Sequence, residues 1–303
     1  MRSNICFILF CSLFVFGFQT ASYASYKTGM AKYRVGDYED AASSFLRSAE
    51  LGHRKSEFML GLMYTRGQGV LRNLQEAVKW YRRAAVQNHK KSQLNLGNAY
   101  RDGKGVKRDM VKAVKWFKIA ALNGSAKAQY NLAMRYMKGQ GVSKDTEQAL
   151  AWLRKSAALE YPNAEYVIGK FYWKGISVDK DKEEALTWYR KAADSGYAAA
   201  QYNLGKLHKN GDGVAKNFEI AVKWYLAAAE QGHRNAQYNL ANRYYKGEGT
   251  AEDIVTAVKW YMICAAKEYK KCVSKIAKLS PVLNPAVIAQ AKEMSDLWLK
   301  EHT

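Results

Sequence analysis

The chain is poor in the residues from which catalytic and metal centres are made. Its 303 residues include five histidines and four cysteines. His53, His89 and His233 are separated by 36 residues or a multiple of it, so three of the five occupy one recurring turn and cannot converge on one pocket. No His/Cys/Asp cluster has the spacing of a metal site, and no nucleophile, base and acid group together, so neither a cofactor nor an enzymatic activity is expected. Ser177-x-x-Lys180 matches a serine–lysine signature in a loop, without the helix start or companion motifs that chemistry needs. Acidic residues are also short: 27 Asp and Glu stand against 48 Lys and Arg, a net charge of +21. Long apolar runs are missing apart from Ile5 to Phe18, and that one is short for a bilayer span.

The run from Ile5 to Phe18 follows Met1-Arg2 and precedes the small, polar stretch Thr20 to Ala24. This is the pattern of a secretory signal peptide, with Ser22 and Ala24 meeting the small-residue requirement for cleavage after Ala24. Residues 1–24 are therefore read as a signal peptide and the rest as periplasmic or secreted. Removal takes one base, leaving 47 bases, 27 acids and +20. Such a charge favours anionic surfaces. Cys6 and Cys11 leave with the signal, and the remaining Cys264 and Cys272 form an even pair suited to one disulfide in an oxidising compartment.

Tryptophan then recurs at Trp80, Trp116, Trp152, Trp188, Trp224 and Trp260, 36 residues apart each time. A fixed period of this length marks a solenoid, whose units bury their apolar faces by stacking. Residues 53–268 make six such repeats, each reading as helix A, a glycine-marked loop and helix B. In helix B, Ala77, Trp80, Tyr81, Ala84 and Ala85 fall on one face, preceded by capping residues in one register: Asn73, Asp109, Asp145, Asp181, Asn217 and Asp253. Glu76, Gln148 and Glu184 stand three residues on, where a capping box places them. In helix A, Ala236, Leu240, Ala241 and Tyr244 form the apolar stripe, with Asn239, Asn242, Arg243 and Lys246 expected opposite. The loop carries Gly-x-Gly, as in Gly103 and Gly105, the first glycine ending helix A in a left-handed cap. No strand precedes it and no further glycine or lysine follows, which excludes a phosphate cradle.

The pattern Ala-x-x-x-Leu-Gly-x-x-Tyr-x-x-Gly-x-Gly-Val, then Asp-x-x-x-Ala-x-x-Trp-Tyr-x-x-Ala-Ala, resembles the Sel-one-like repeat (SLR) family over residues 53–268. Residues 25–52, with Gly36-Asp37-Tyr38, resemble a degenerate tetratricopeptide-like (TPR-like) hairpin. The resemblance implies an all-α, right-handed α-solenoid of helix-turn-helix repeats, helix A lining a concave side and helix B a convex one. It also implies an adaptor that binds other proteins. The fourth repeat departs from the pattern: Ser177 replaces the second loop glycine and Val167 and Phe171 interrupt the polar face, so its loop is expected to differ. Residues 269–303, with Pro281 and Pro285 and then an apolar pattern through Trp298, are expected to cap the last repeat. Cys264 and Cys272 occupy positions that are small in earlier repeats, Ala228 and Ala236 among them, and close approach there favours a disulfide; some exported members of the family pair cysteines across the same junction.

Two surfaces are candidates for binding. The helix A residues Asn95, Asn98, Asn131, Arg135 and Lys170, continued by Asn203, Lys206, Asn239, Asn242 and Arg243, would present amide and cationic donors to the backbone or carboxylates of a protein or peptide partner. The same amides could instead bond to the neighbouring helix. On helix B the bases Lys79, Arg82, Lys115, Lys118, Arg154, Arg190, Lys223 and Lys259 would suit an anionic lipid or polysaccharide. Nucleic acid is not expected for an exported chain.

Overall fold

The computed structural model describes residues 20–302. It forms two compact units that meet in sequence between Ser156 and Ala157. The N-terminal unit contains α1 (residues 20–34), α2 (Tyr38–Glu50), α3 (Arg54–Arg66), α4 (Leu74–Val86), α5 (Lys90–Asp102), α6 (Met110–Leu122), α7 (Ala126–Lys138) and α8 (Thr146–Ala157). The C-terminal unit contains α9 (Pro162–Lys174), α10 (Lys182–Asp194), α11 (Ala198–Asn210), α12 (Phe218–Glu230), α13 (Arg234–Lys246), α14 (Ile254–Ala266), α15 (Lys270–Leu279) and α16 (Pro285–His302). Among the described residues there is no strand. Odd-numbered helices are of type A and even-numbered ones, to α14, of type B.

Local chemistry sets each boundary. Helix A ends at a left-handed glycine in all six repeats, from Gly67 to Gly247. The Asn or Asp before helix B then accepts an amide three residues on, from Asn73 with Glu76 to Asp253 with Thr256. The reciprocal half of the expected capping box is replaced. The N-cap amide donates to a helix A carbonyl instead: Asn73 to Tyr64, Asp109 to Tyr100, Asp181 to Tyr172. Freed of that duty, Glu76 pairs with Lys79 and Glu184 accepts from the Trp188 indole. One backbone bond per repeat thereby pins the loop against its own helix A.

The second loop glycine sits against the start of the previous helix B; a Cβ on Gly105 would collide with the Leu74 carbonyl. Ser177, in the same register, keeps the left-handed backbone at φ 55°. The left-handed turn and the Asp181 to Tyr172 backbone bond are thus kept in the fourth repeat despite the lost glycine.

The core lies one residue beyond the tryptophans. Phe117, Leu153, Tyr225 and Tyr261 are wholly buried, whereas Trp116, Trp188 and Trp224 are only partly so. Trp80, Trp152 and Trp260 are buried. Cations lie over the indole rings at this edge, Arg83 on Trp80 at 4.8 Å and Lys155 on Trp152 at 4.5 Å, their stems covering the apolar face.

Both ends carry their own closures. Cys264 and Cys272 are disulfide-bonded, with Cα atoms 6.0 Å apart, joining α14 to α15. At the junction of α2 and α3 the equivalent pair is Ser48 and Ser56, whose hydroxyls bond at 2.8 Å. Helix α16 then brings Trp298 against Trp260, centroids 5.8 Å apart, with its indole donating to Glu230. At the other end, α1 is unbroken across Ala24 and Ser25, and Ser22 is buried, exchanging hydrogen bonds with Ser48. Cleavage after Ala24 would remove that contact. Residues 1–19 of the expected signal segment lie outside the described residues.

Candidate functional site

The type A helices carry the candidate face, and their placement follows from what lies behind them. Each is anchored by a buried Gln or Glu in its first turn: Gln93, Gln129, Gln201 and Gln237 donate to the carbonyls of Ala85, Ala121, Ala193 and Ala229 at the end of the preceding helix B. In the other two repeats Glu57 and Glu165 take this register and pair with Arg83 and Lys191. This ladder went unread in the sequence because glutamine at helical spacing looks like a solvated position. Its only signal was the recurrence itself.

The helix A N-caps explain the histidines. His53, His89 and His233 accept the amides of Ser56, Ser92 and Ala236 through Nδ1, which requires the neutral ring with its proton on Nε2. Each ring also packs on an aromatic of the preceding helix A: Tyr26, Phe58 and Tyr202, at 4.6, 4.7 and 4.7 Å. Burial, ahead of nearby Lys and Arg charges, holds His89 down at about 4 and lowers His53 as well.

Phe58 and Tyr202 belong to a half-buried register that the sequence pattern does not single out. It comprises Phe58, Leu94 and Tyr130 in the N-terminal unit and Tyr166, Tyr202 and Tyr238 in the C-terminal unit. Tyr166 touches Tyr189 and Tyr197, and Tyr238 touches Tyr261 and Tyr269.

The expected amide donors divide into two groups. Asn95 and Asn203 lie near the hydroxyls of Tyr81 and Tyr189 on the preceding helix B, the Tyr81 hydroxyl is hydrogen-bonded to Thr65 at 3.0 Å, and Asn242 accepts from Tyr261 at 3.0 Å. Asn131 faces Phe117, which has no hydroxyl, and its amide lies 3.5 Å from Asn98. Asn239 donates only to its own helix, at the Asn235 carbonyl. Burial pushes the hydroxyls of Tyr189, Tyr225 and Tyr261 well above the ordinary tyrosine value. In the N-terminal unit Asn95, Asn98 and Tyr81 line a recess of about 320 Å³.

The cations divide as well. Lys170 and Lys206 are exposed, Lys170 lying 5.8 Å over Tyr166. Arg243 does not share the solvent-facing side expected for it: three residues after Leu240, it follows the apolar stripe and is 8% exposed. Arg135 shares its register. The helix B bases Lys79, Arg82, Lys115, Lys118, Arg154, Arg190 and Lys223 are exposed, while Lys259 is half-covered over Trp260. Among the described residues no group of His, Cys, Asp and Glu could hold a metal ion, and no helix is long and apolar enough to cross a membrane.

Comparison with known proteins agrees with this architecture. The Sel1 repeat protein from Oxalobacter formigenes is 33% identical, covering 80% of this chain and 99% of its own, with a TM-score of 0.76. The protein c5321, a protective antigen present in uropathogenic Escherichia coli strains and displaying an SLR fold, is 26% identical over 94% of this chain and 85% of its own, with a TM-score of 0.38. PA5086 of Pseudomonas aeruginosa is 25% identical over 72% and 83%, with a TM-score of 0.48. No curated protein matches the chain. The family model described as the Sel1 repeat matches six consecutive segments, residues 54–89, 90–125, 126–161, 162–197, 198–233 and 234–261. With the repeats, their caps and the Oxalobacter structure in agreement, the chain belongs to the Sel1 repeat family, whose repeats are scaffolds for protein–protein contact.

Proposed function

We propose that the chain is an exported scaffold that holds an extended segment of another envelope protein on the A-helix faces of its repeats. The observation that carries this reading is the half-buried register of Phe58, Leu94 and Tyr130, and of Tyr166, Tyr202 and Tyr238. Apolar side chains at fixed spacing, aromatic at every place but Leu94, offer contact area at little entropic cost. Beside them, Asn131 and Asn239 point amides that no helix B hydroxyl occupies. Export is supported by the apolar leader in the sequence and by the Cys264–Cys272 bond.

The test is crosslinking in the native envelope with capture of the chain, comparing wild type with Asn131→Ala/Asn239→Ala. Because these amides make no bond to a helix B, the variant should keep its helix content and melting temperature. Capture of the crosslinked protein should fall several-fold. Unchanged capture by a folded variant would reject the face. A second reading, a polyanion held on the exposed helix B bases, rests on the exposure of Lys115, Lys118 and Lys223; it demands steep loss of binding with added salt.

A further inference from the structure

We propose that two repeat-equivalent basic clusters, one in each compact unit, each receive a single acidic side chain of the partner protein. This deepens the scaffold reading and rests on it. The clusters are built alike, three repeats or 108 residues apart in sequence. Arg135 and Arg243 are their centres; Arg101 and Lys209, Arg108 and Lys216, Lys138 and Lys246 hold equivalent places around them.

The central arginine is what sets these repeats apart. In the other repeats its register holds Met63, Ala99, Phe171 and Leu207, all buried apolar residues. A guanidinium at such a position is costly unless paired and hydrogen-bonded, so its presence twice calls for a ligand that completes the pairing. Arg243 stacks 5.1 Å above the Phe218 ring and forms an ion pair with Glu248, yet its buried Nε has no hydrogen-bond partner. Arg135 repeats the arrangement: it donates through Nη1 to Gln140, the counterpart of Glu248, and its buried Nε is likewise without a partner.

Cations outnumber carboxylates at both places. In the C-terminal unit Lys209, Lys216, Arg243 and Lys246 line one recess with a single carboxylate, Glu248. In the N-terminal unit Arg101, Lys104 and Arg135 act on Asp102, which Arg101 holds through two bonds at 2.7 and 2.8 Å, and Arg108 acts on Arg135. Lys209 is pushed below its ordinary value, by burial first and then by Arg243, Lys206 and Lys246. Part of this charge is explained by the helix A C-terminus, where cations are favoured. That explanation covers the exposed Lys138 and Lys246 but not Arg243, which is buried, nor Arg135, which is half-buried with its Nε wholly enclosed.

The chemistry and the size name the occupant. Arg243 already reads a carboxylate from its own chain, and a planar fork with flanking ammonium groups suits another. The recess at Lys209, Lys216, Phe218 and Arg243 has a volume of about 420 Å³. That is room for a Glu or Asp side chain and its flanking backbone.

Fluorescence anisotropy and calorimetry with a short dye-labelled peptide alternating Glu and Ser test the proposal, with the same peptide carrying Gln as control. Wild type should bind two Glu peptides and no Gln peptide. Arg135→Met and Arg243→Met, each restoring an apolar residue to this register, should each remove one site. The double variant should bind at least roughly tenfold more weakly, the order expected on losing charge-assisted forks. If either Met variant fails to fold, Lys138→Glu and Lys246→Glu carry the same stoichiometry test from exposed positions. Equal binding of the Gln peptide, no binding by wild type, or full binding by the folded double variant would each overturn the proposal. So would phosphatidylglycerol vesicles or inorganic phosphate binding through these arginines while the peptide does not. Envelope capture that survives in Arg135→Met/Arg243→Met alongside a negative peptide assay would sink the clusters and leave the A-helix face standing.

Discussion

Gly97→Ala is the sharpest probe of how helices A and B meet. Gly97 lies in the interior of α5, where alanine is favoured over glycine by about 1 kcal/mol. A Cβ there, however, would stand 2.5 Å from two ring carbons of Phe117, about 1 Å inside ordinary carbon–carbon contact. Overpacking of this kind costs about 1–3 kcal/mol, so the variant should be destabilised by about 0–2 kcal/mol in net. The sequence contains its own control, because in the next repeat the pair is Ala133 and Leu153, both wholly buried. In a Phe117→Leu background, Gly97→Ala should therefore stabilise by up to about 1 kcal/mol, giving a coupling of about 1–3 kcal/mol between the two sites. Ala241 beside Tyr261 shows that a methyl and a ring can coexist, but there the ring is held by its hydroxyl on Asn242, a bond Phe117 cannot make. Urea midpoints with their slopes, checked by hydrogen exchange in α5 and α6 since repeats need not unfold together, provide the four corners of the cycle. Gly97→Ala having the same sign and size in both backgrounds would refute the steric account.

Acid should weaken the chain through its histidine caps. His89 is held down at about 4 in the folded chain against 6.5 when free, so between those values the unfolded chain binds the extra proton; the stability is fully present above about 6.5 and is lost as pH falls toward 4. His89→Asn, which keeps a capping acceptor, should flatten the thermal-melt profile over that window; an unchanged profile would remove His89 as a source. Reducing Cys264–Cys272, which closes a loop of sequence separation 8, should cost the C-terminal end about 2–3 kcal/mol on the chain-entropy model. Hydrogen exchange should then speed up in α15 and α16 while α3 to α6 stay unchanged, and a uniform change along the chain would contradict that.

What recurs in the sequence was readable, and what recurs is packing. The helix ends, the left-handed glycines and the Cys264–Cys272 register all follow from one repeating pattern, and the structure places them as the pattern implies. Two periodic features show that period fixes spacing but not depth. The tryptophans mark an edge, with the deepest burial at Phe117 and its equivalents. Gln93 and its equivalents bond backbone carbonyls inside, where composition alone suggests solvent. The capping box failed for a non-local reason: the Asn73 amide is taken by Tyr64, an inter-segment bond that no local motif records.

The candidate sites lie where the pattern is broken, and the physics of a repeat explains why. A residue that satisfies its neighbours in every repeat is already accounted for by stacking. Gln93 and Gln129, which bond the carbonyls of Ala85 and Ala121, are of this kind. Arg243 departs from this arrangement by carrying charge into a register occupied elsewhere by Met63, Phe171 and Leu207, and its buried Nε is left without a hydrogen-bond partner. In a buried setting an unmatched donor costs free energy in the isolated chain. A partner that supplies the missing acceptor recovers that cost on binding, which makes the irregular positions, not the conspicuous periodic ones, the places where specificity is expected to reside.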